Sequence, residues 1–346
     1  MLLELKDIKV SFDTYAGEVQ AVRGVSFTLD KGEVVALVGE SGCGKSVTAQ
    51  SVMGLLAKPA GRVKSGAIFI DGVDVTKYTE KEWESIRGAK VGMIFQDPMT
   101  SLNPTMTIGV QICEGLIKHQ HMSKSDAMKR AEEMLRLVEI PNAHERVHQY
   151  PHEFSGGMRQ RAMIAIALSC NPALIIADEP TTALDVTIQA QVLDLMKDLK
   201  RKLDTAVIII THDLGVVASM AERVMVMYGG LIVESGKLED VYYHARHPYT
   251  WGLMKSIPRL DSTKEEELSP IEGTPPDLFM PPPGCPFADR CDWCMQICKV
   301  SMPPKYAVSE SHSACCWLLH PDAPKTESPM ARIRHGMTGA EGAKNV

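Results

Sequence analysis

The chain has 346 residues, which as a soft prior suggests about two domains, or one large domain with an appendage. Its composition, 45% hydrophobic and 23% charged, is ordinary for a folded soluble protein, and a net charge of −6 gives no global pull toward nucleic acid or anionic lipid. No apolar run reaches the roughly 18–20 residues that a membrane span needs; the nearest, Ala162–Leu168, stops at Ser169, Cys170, Asn171 and Pro172.

The N-terminal stretch carries Glu4 and Asp7 without a basic leader segment, so it does not read as a signal peptide, and the chain is expected in the cytoplasm with any membrane spans supplied by others. Leu2–Phe12 and Val19–Leu29 read as strands around a polar turn at Asp13–Gly17. Glu33–Val38 is a short apolar strand that runs into a glycine-rich loop, followed by a helix from about Lys45 to Leu56. Between Asp97 and Ala167 the pattern is helical, with 3.6-type spacing over Ile108–Lys118 and Lys124–Val138 and with Pro104 and Pro141 as punctuation.

Short apolar strands then return at Leu174–Ala177, Ala206–Ile210, Arg223–Tyr228 and Leu231–Glu234, separated by helical stretches such as Ile188–Leu203. Strands alternating with helices predict an α/β domain with a mainly parallel sheet covered on both faces. Its end is expected near Ser256. Residues 257–283 are rich in proline and acidic residues and read as a linker or extended wrap, 284–320 form a cysteine-rich region, and 321–346 are polar and expected to be disordered.

Gly39-Glu40-Ser41-Gly42-Cys43-Gly44-Lys45-Ser46 matches G-x-x-x-x-G-K-[ST] between a strand and a helix. Its glycines let successive backbone N–H groups, on into the first helical turn at Val47, face phosphate oxygens. Lys45 supplies a cation for the outer phosphates of ATP, and Ser46 a hydroxyl for Mg²⁺. The strand Leu174–Ala177 ends in Asp178 and Glu179. Asp178 can hold Mg²⁺ through its water shell, and Glu179 can polarise the water that attacks the γ-phosphate. A strand ending in two acids is by itself often a solvated strand end; paired with the phosphate loop it reads as catalytic.

Phe154-Ser155-Gly156-Gly157-Met158-Arg159-Gln160, just upstream of that strand, resembles the signature motif of the ABC transporter ATPases, with Phe for the usual Leu and Met for the usual Gln. The resemblance covers essentially residues 1–256. It implies a P-loop NTPase fold of the ABC type, with an N-terminal antiparallel β-subdomain and a helical subdomain at about residues 97–167. It also implies that Ser155, Gly156 and Gly157 bind the γ-phosphate held by Lys45 of a second subunit packed head to tail. Gln96 matches the loop glutamine that senses Mg²⁺ and the attacking water. Ala183-Leu184-Asp185 matches the loop that crosses to the partner, and His212 the switch histidine on the γ-phosphate. An aromatic near the N-terminus, Phe12 or Tyr15, is expected to stack on adenine.

Phe95-Gln96-Asp97-Pro98-Met99-Thr100-Ser101-Leu102-Asn103-Pro104, His247-Pro248-Tyr249-Thr250 and the cysteine region narrow the resemblance to the bacterial dipeptide/oligopeptide permease ATPases over roughly residues 1–320. The implied complex holds a second ATPase, expected to be a paralogue, two membrane subunits and an extracytoplasmic peptide-binding protein; Asp97–Asn103 would receive a helix of a membrane subunit at the cytoplasmic face. Six of the nine cysteines lie between Cys285 and Cys316, and in a reducing compartment such a cluster favours metal over disulfides. The family pattern implies a [4Fe–4S] cluster on Cys285, Cys291, Cys298 and Cys316, with Cys316 preferred to Cys315 because it stands four residues after His312; zinc also suits such thiolates, and Cys294 and Cys315 are extras. The competing readings are a permease of this type that imports nickel or glutathione, an ABC module that no longer turns over ATP, and an ABC ATPase acting on ribosomes or DNA.

Overall fold

The computed structural model describes residues 1–182, 184–256 and 271–326. In chain order the first elements are β1 (Leu3–Thr14), β2 (Gly17–Leu29), β3 (Val34–Val38), α1 (Lys45–Val52), β4 (Gly61–Ile70), β5 (Val73–Asp74), α2 (Glu80–Ile86) and β6 (Val91–Ile94). The helical middle holds α3 (Pro98–Ser101), α4 (Ile108–Gln120), α5 (Lys124–Leu137), α6 (Ala143–Arg146) and α7 (Gly156–Leu168). Then come β7 (Leu174–Asp178), α8 (Val186–Leu203), β8 (Ala206–Thr211), α9 (Leu214–Met220), β9 (Arg223–Tyr228), β10 (Leu231–Lys237), α10 (Leu238–His244) and α11 (Pro248–Lys255). After residue 270, α12 (Gln296–Val300) and two short strands, β11 (Tyr306–Ala307) and β12 (Ser313–Ala314), follow.

Two sheets organise these elements. Strands β2-β1-β4-β5 form an antiparallel sheet, and β11-β12-β10-β9-β3-β8-β7-β6 form the core sheet. From β9 to β6 the core pairings are parallel, and every residue of β3, β7 and β8 is buried. Burial on both faces is why these strands read as unbroken apolar runs rather than as alternation. One core, with Ile112, Met134, Ile164 and Val192, joins the helical middle to the sheet; a second, with Leu5, Ile68, Val35 and Ile208, joins the sheet to the antiparallel layer.

The helix starts follow their caps. Thr107, Ser123 and Ser155 accept from the backbone N–H three residues on, Val110, Asp126 and Met158. The helix after the glycine loop ends at Val52, four residues before the expected Leu56. Gly54 turns the chain there at φ +61, and a Cβ on it would stand 2.3 Å from the Trp83 ring, so only glycine passes under that indole. Strands β4 and β5 and helix α2 had no counterpart in the sequence reading.

The core sheet does not end with β10. Ser313 and Ala314 of β12 pair with Ser235 and Glu234 of β10, so the region after the proline-rich segment adds strands to the core sheet. Of the expected linker 257–283, residues 257–270 lie outside the described residues; 271–283 contain no helix or strand and are strapped to the body, for example by Gln20 N–H donating to Leu278 O at 2.9 Å. The expected disordered tail falls mostly on 327–346, also outside the described residues.

Candidate functional site

Strand β3 delivers Gly39 to the open edge of the sheet, and the loop turns back into α1 at Gly44. Gly39 (φ +153) and Gly44 (φ +101) have no room for a side chain: a Cβ would meet Met227 O at 2.2 Å and Ala21 O at 2.4 Å. Gly42 faces open space. Ser41 is exposed, and Val47 is turned against the core, which leaves its role to its backbone. Lys45 is buried inside the loop, where Nζ donates to Gly39 O at 2.7 Å and Glu40 O at 2.9 Å, and Cys43 is buried beside it. The loop thus encloses its own cation in the pose a phosphate would compete for.

Strand β7 brings Asp178 to the same edge, where Ser46 Oγ donates to Asp178 Oδ1 at 3.0 Å. Burial pushes the Asp178 carboxyl up, against the Ser46 hydrogen bond that pulls it down. Two hard oxygen donors side by side in a site that penalises bare negative charge suit Mg²⁺.

The next residue collects three groups on one carboxylate. Gln96 Nε2 donates to Glu179 Oε2 at 2.8 Å, Thr182 Oγ1 donates to the same oxygen at 3.0 Å, and His212 Nδ1 lies 3.2 Å from Oε1. These residues come from the ends of three neighbouring strands, β6, β7 and β8, and from the loop after β7. Glu179 has φ +47, a left-handed conformation costly for a non-glycine residue, fixed by its N–H donating to Ile210 O at 2.8 Å. Thr182 was missed by sequence reasoning; a hydroxyl three residues after the acid was the available signal. The loop carrying His212 is itself braced by Asp213, which accepts from Gln189 Nε2 at 2.9 Å and caps α9.

Ser155 and Gly156 are exposed at the start of α7, and Gly157 abuts Ile188. Ser155 and Gly157 line an open groove with Pro141, Arg161 and Gln191, and no hydrogen bond among the described residues ties them to Gly39–Ser46. Asp185 caps α8 through the Thr187 and Ile188 N–H groups; Leu184 is described and Ala183 lies outside the described residues. Asp97 caps the short α3, leaving Phe95 and Met99 exposed. Phe12 packs against the core, whereas Tyr15 stands fully exposed at the β1–β2 turn.

His247, Pro248, Tyr249 and Thr250 open α11, with His247 Nδ1 accepting from Tyr249 N–H at 3.1 Å. This segment, Cys285, Phe287 and Cys298 share one buried core. Burial pushes the thiols up, to about 11 for Cys285 and about 12 for Cys291 and Cys316, and Cys316 also feels the charges of Cys285, Cys291 and Cys298. The same electrostatics couple Cys285 to Cys294, Cys298 and Cys315, and Cys291 to Cys285, Cys294 and Cys298, so all six cysteines lie in one neighbourhood. Cys315, just after β12, donates to Ile232 O at 3.7 Å. Cys294 lies against Cys298. Among the described residues no group of three or more His, Cys, Asp or Glu side chains is placed to hold a metal ion. His312 Nε2 meets Glu234 Oε1 at 2.8 Å, and Glu234 also accepts from Arg246 N–H at 2.6 Å and His247 N–H at 3.1 Å.

No helix among the described residues is long and apolar enough to cross a membrane. Residues 22–182 match the ABC transporter family, and residues 233–298 match the oligopeptide/dipeptide transporter C-terminal region. The chain is 60% identical to the oligopeptide transport ATP-binding protein OppD of Bacillus subtilis, over 95% of this chain and 92% of that one. It is 57% identical to the dipeptide transport ATP-binding protein DppD of the same organism, over 92% and 94%. Among solved structures it is similar to the dimeric post-hydrolysis state of the ATP-binding cassette MJ0796 bound to ADP and Pi, at 29% identity and a TM-score of 0.62, covering 68% of this chain and 99% of that one.

Proposed function

Because the chain belongs to the ATP-binding subunits of oligopeptide/dipeptide ABC transporters, we propose that it hydrolyses MgATP at Gly39–Ser46, Asp178 and Glu179 to drive import of di- or oligopeptides. The observation that carries the catalytic assignment is the convergence of Gln96, Thr182 and His212 on the Glu179 carboxylate. Lys45 exchanges its two backbone carbonyls for the β- and γ-phosphates. Ser46 and Asp178 would hold Mg²⁺, which would neutralise charge building on the phosphates. Glu179 polarises the attacking water, Gln96 orients it, and His212 reports on the γ-phosphate. Tyr15, free at its turn, is the aromatic that stacks on adenine.

Ser155, Gly156 and Gly157 sit on a separate exposed face, which suits a phosphate presented by another subunit at a helix N-terminus. The partner is a paralogous ATPase in a head-to-tail dimer. The pair docks on two membrane subunits at the cytoplasmic face, with Asp97–Asn103 and the exposed Phe95 and Met99 in the receiving groove. An extracytoplasmic binding protein delivers the peptide.

Cys285, Cys291, Cys298 and Cys316 would be the ligand set of a structural [4Fe–4S] cluster, the family's pattern applied to this cysteine-rich region. Their chemistry suits it: they are soft sulfur donors, largely buried, whose thiolate forms a cationic group would stabilise. Tetrahedral zinc would draw the sulfurs to roughly 3.8 Å apart, given a Zn–S bond of about 2.3 Å. Among the described residues no three His, Cys, Asp or Glu side chains are grouped to hold a metal ion, so the cluster reading rests on the thiol chemistry and the family's cysteine pattern.

The complex with its membrane subunits and binding protein, reconstituted in vesicles, tests the transport reading. ATP-dependent uptake of a labelled tripeptide is expected. Uptake of nickel or glutathione with no uptake of peptides would reassign the cargo.

A further inference from the structure

The phosphate loop is gripped from outside by the C-terminal region, and we propose that Arg290 is a positioning residue for ATP binding, setting the shape and charge of the loop through Glu40. The inference rests on Gly39–Ser46 being the phosphate loop and is independent of what the thiols bind.

Glu40, the first variable residue of the loop, is held at three points. Its N–H donates to Tyr249 Oη at 2.7 Å, its carbonyl accepts from Lys45 Nζ at 2.9 Å, and its carboxylate takes both ends of the Arg290 fork, Nη1 to Oε2 at 2.6 Å and Nη2 to Oε1 at 3.0 Å. The Arg290 side chain is 5% exposed and that of Glu40 27%, so the pair is largely removed from solvent, where a bidentate guanidinium–carboxylate contact is strong and directional. The remaining Arg290 donors are also taken: Nη1 reaches Tyr228 Oη at 3.0 Å, Nη2 reaches Ile271 O at 2.9 Å and Nε reaches Glu272 O at 2.8 Å. A guanidinium filled on every side cannot shift without moving the loop.

The electrostatics point the same way. A carboxylate beside a polyphosphate site repels the nucleotide unless it is neutralised, and Arg290 is its only ion-pair partner among the described residues. Pro275, Pro276 and Leu278 lie against Glu40–Cys43 in a small cleft, which backs the same stretch of loop. Arg290 ends a single helical turn, Ala288–Arg290, between Cys285 and Cys291. The sequence separates these partners by 250 positions, and an isolated ATPase core would lack the brace.

The test uses the full chain and measures MgATP binding, steady-state hydrolysis, thermal unfolding and metal content for Arg290→Ala, Arg290→Lys, Glu40→Gln and the Arg290→Ala/Glu40→Gln double variant, with Lys45→Ala as control. Arg290→Ala is expected to raise KM and Kd for ATP about tenfold while kcat changes by less than about twofold. Arg290→Lys, which keeps the charge without the fork, should give about a threefold rise. The double variant should recover most of the affinity, because no bare carboxylate remains. Unchanged KM in Arg290→Ala, or effects of the two single changes that simply add, would overturn the proposal. If Arg290→Ala does not fold, unchanged KM in both Arg290→Lys and Glu40→Gln would do the same. Loss of ATP binding in Lys45→Ala confirms the loop itself, so its retention would sink the nucleotide-site assignment and not only the role of Arg290.

Discussion

Gln96 Nε2 and Glu179 Oε2 lie 2.8 Å apart, joining the ends of strands separated by 83 positions in sequence. The amide keeps the carboxylate aimed along the sheet edge, where Asp178 and the phosphate loop also open. A glutamine at position 179 would keep the shape and the hydrogen bonds but could not take up proton density from water. Glu179→Gln is therefore expected to bind ATP with unchanged affinity and to hydrolyse it at least about a hundredfold more slowly, the range general-base removal commonly gives. Nucleotide binding and phosphate release on one preparation check this. Hydrolysis at the normal rate would remove Glu179 from its role.

His247 yields a pH prediction. Burial holds its imidazole down, to about 4, and only Glu234 nearby works in the opposite direction. Because the unfolded chain takes up the proton near the ordinary histidine value of about 6.5, stability from this group is fully present above that pH. It is lost as pH falls from about 6.5 towards 4, where it amounts to roughly 3 kcal/mol at most. Replacing His247 by Asn keeps an oxygen to cap α11 and removes the titration. The difference between the two proteins in unfolding free energy should shift with pH across that window. Parallel curves from pH 7 to 4 would show that His247 does not titrate as its burial requires.

The parts of the site legible in sequence are those built by local chain geometry. Gly39–Ser46 could be recognised because a strand, a glycine turn and a helix N-terminus lie within a dozen or so positions, and Asp178–Glu179 because β7 is an uninterrupted apolar strand. What was hidden depends on register and distance. Phe12 and Tyr15 could not be separated because β1 is bulged, with register shifts between Val10 and Phe12, so alternation does not report which side chain faces the core. Strand β4 escaped because its early residues, Gly61, Arg62, Lys64, Ser65 and Gly66, give no clean period of two. The Arg290 fork on Glu40 and the Tyr249 hydroxyl under the loop are contacts across some 200 positions or more, and no local pattern encodes them. Pro248–Tyr249 marked a family in the sequence; its physical use, bracing Glu40 and capping the core around Cys285, emerges only in three dimensions.

Adjacent cysteines with different surroundings allow a discriminating substitution. Cys316 feels the charges of Cys285, Cys291 and Cys298, whereas Cys315, one residue earlier, donates to Ile232 O. If those four thiols ligate a cluster, Cys316→Ser removes a ligand and Cys315→Ser removes none. Protein purified without oxygen is expected to carry iron and visible absorption in the wild type and in Cys315→Ser, and to lose most of both in Cys316→Ser. The loss should also lower thermal stability, because a group that binds only the folded chain stabilises it by mass action. Equal iron in the two serine variants would mean that Cys316 is not the fourth ligand or that Cys315 can replace it. Iron-free, colourless wild-type protein would end the cluster assignment, and stoichiometric zinc in its place would reassign the site to that metal.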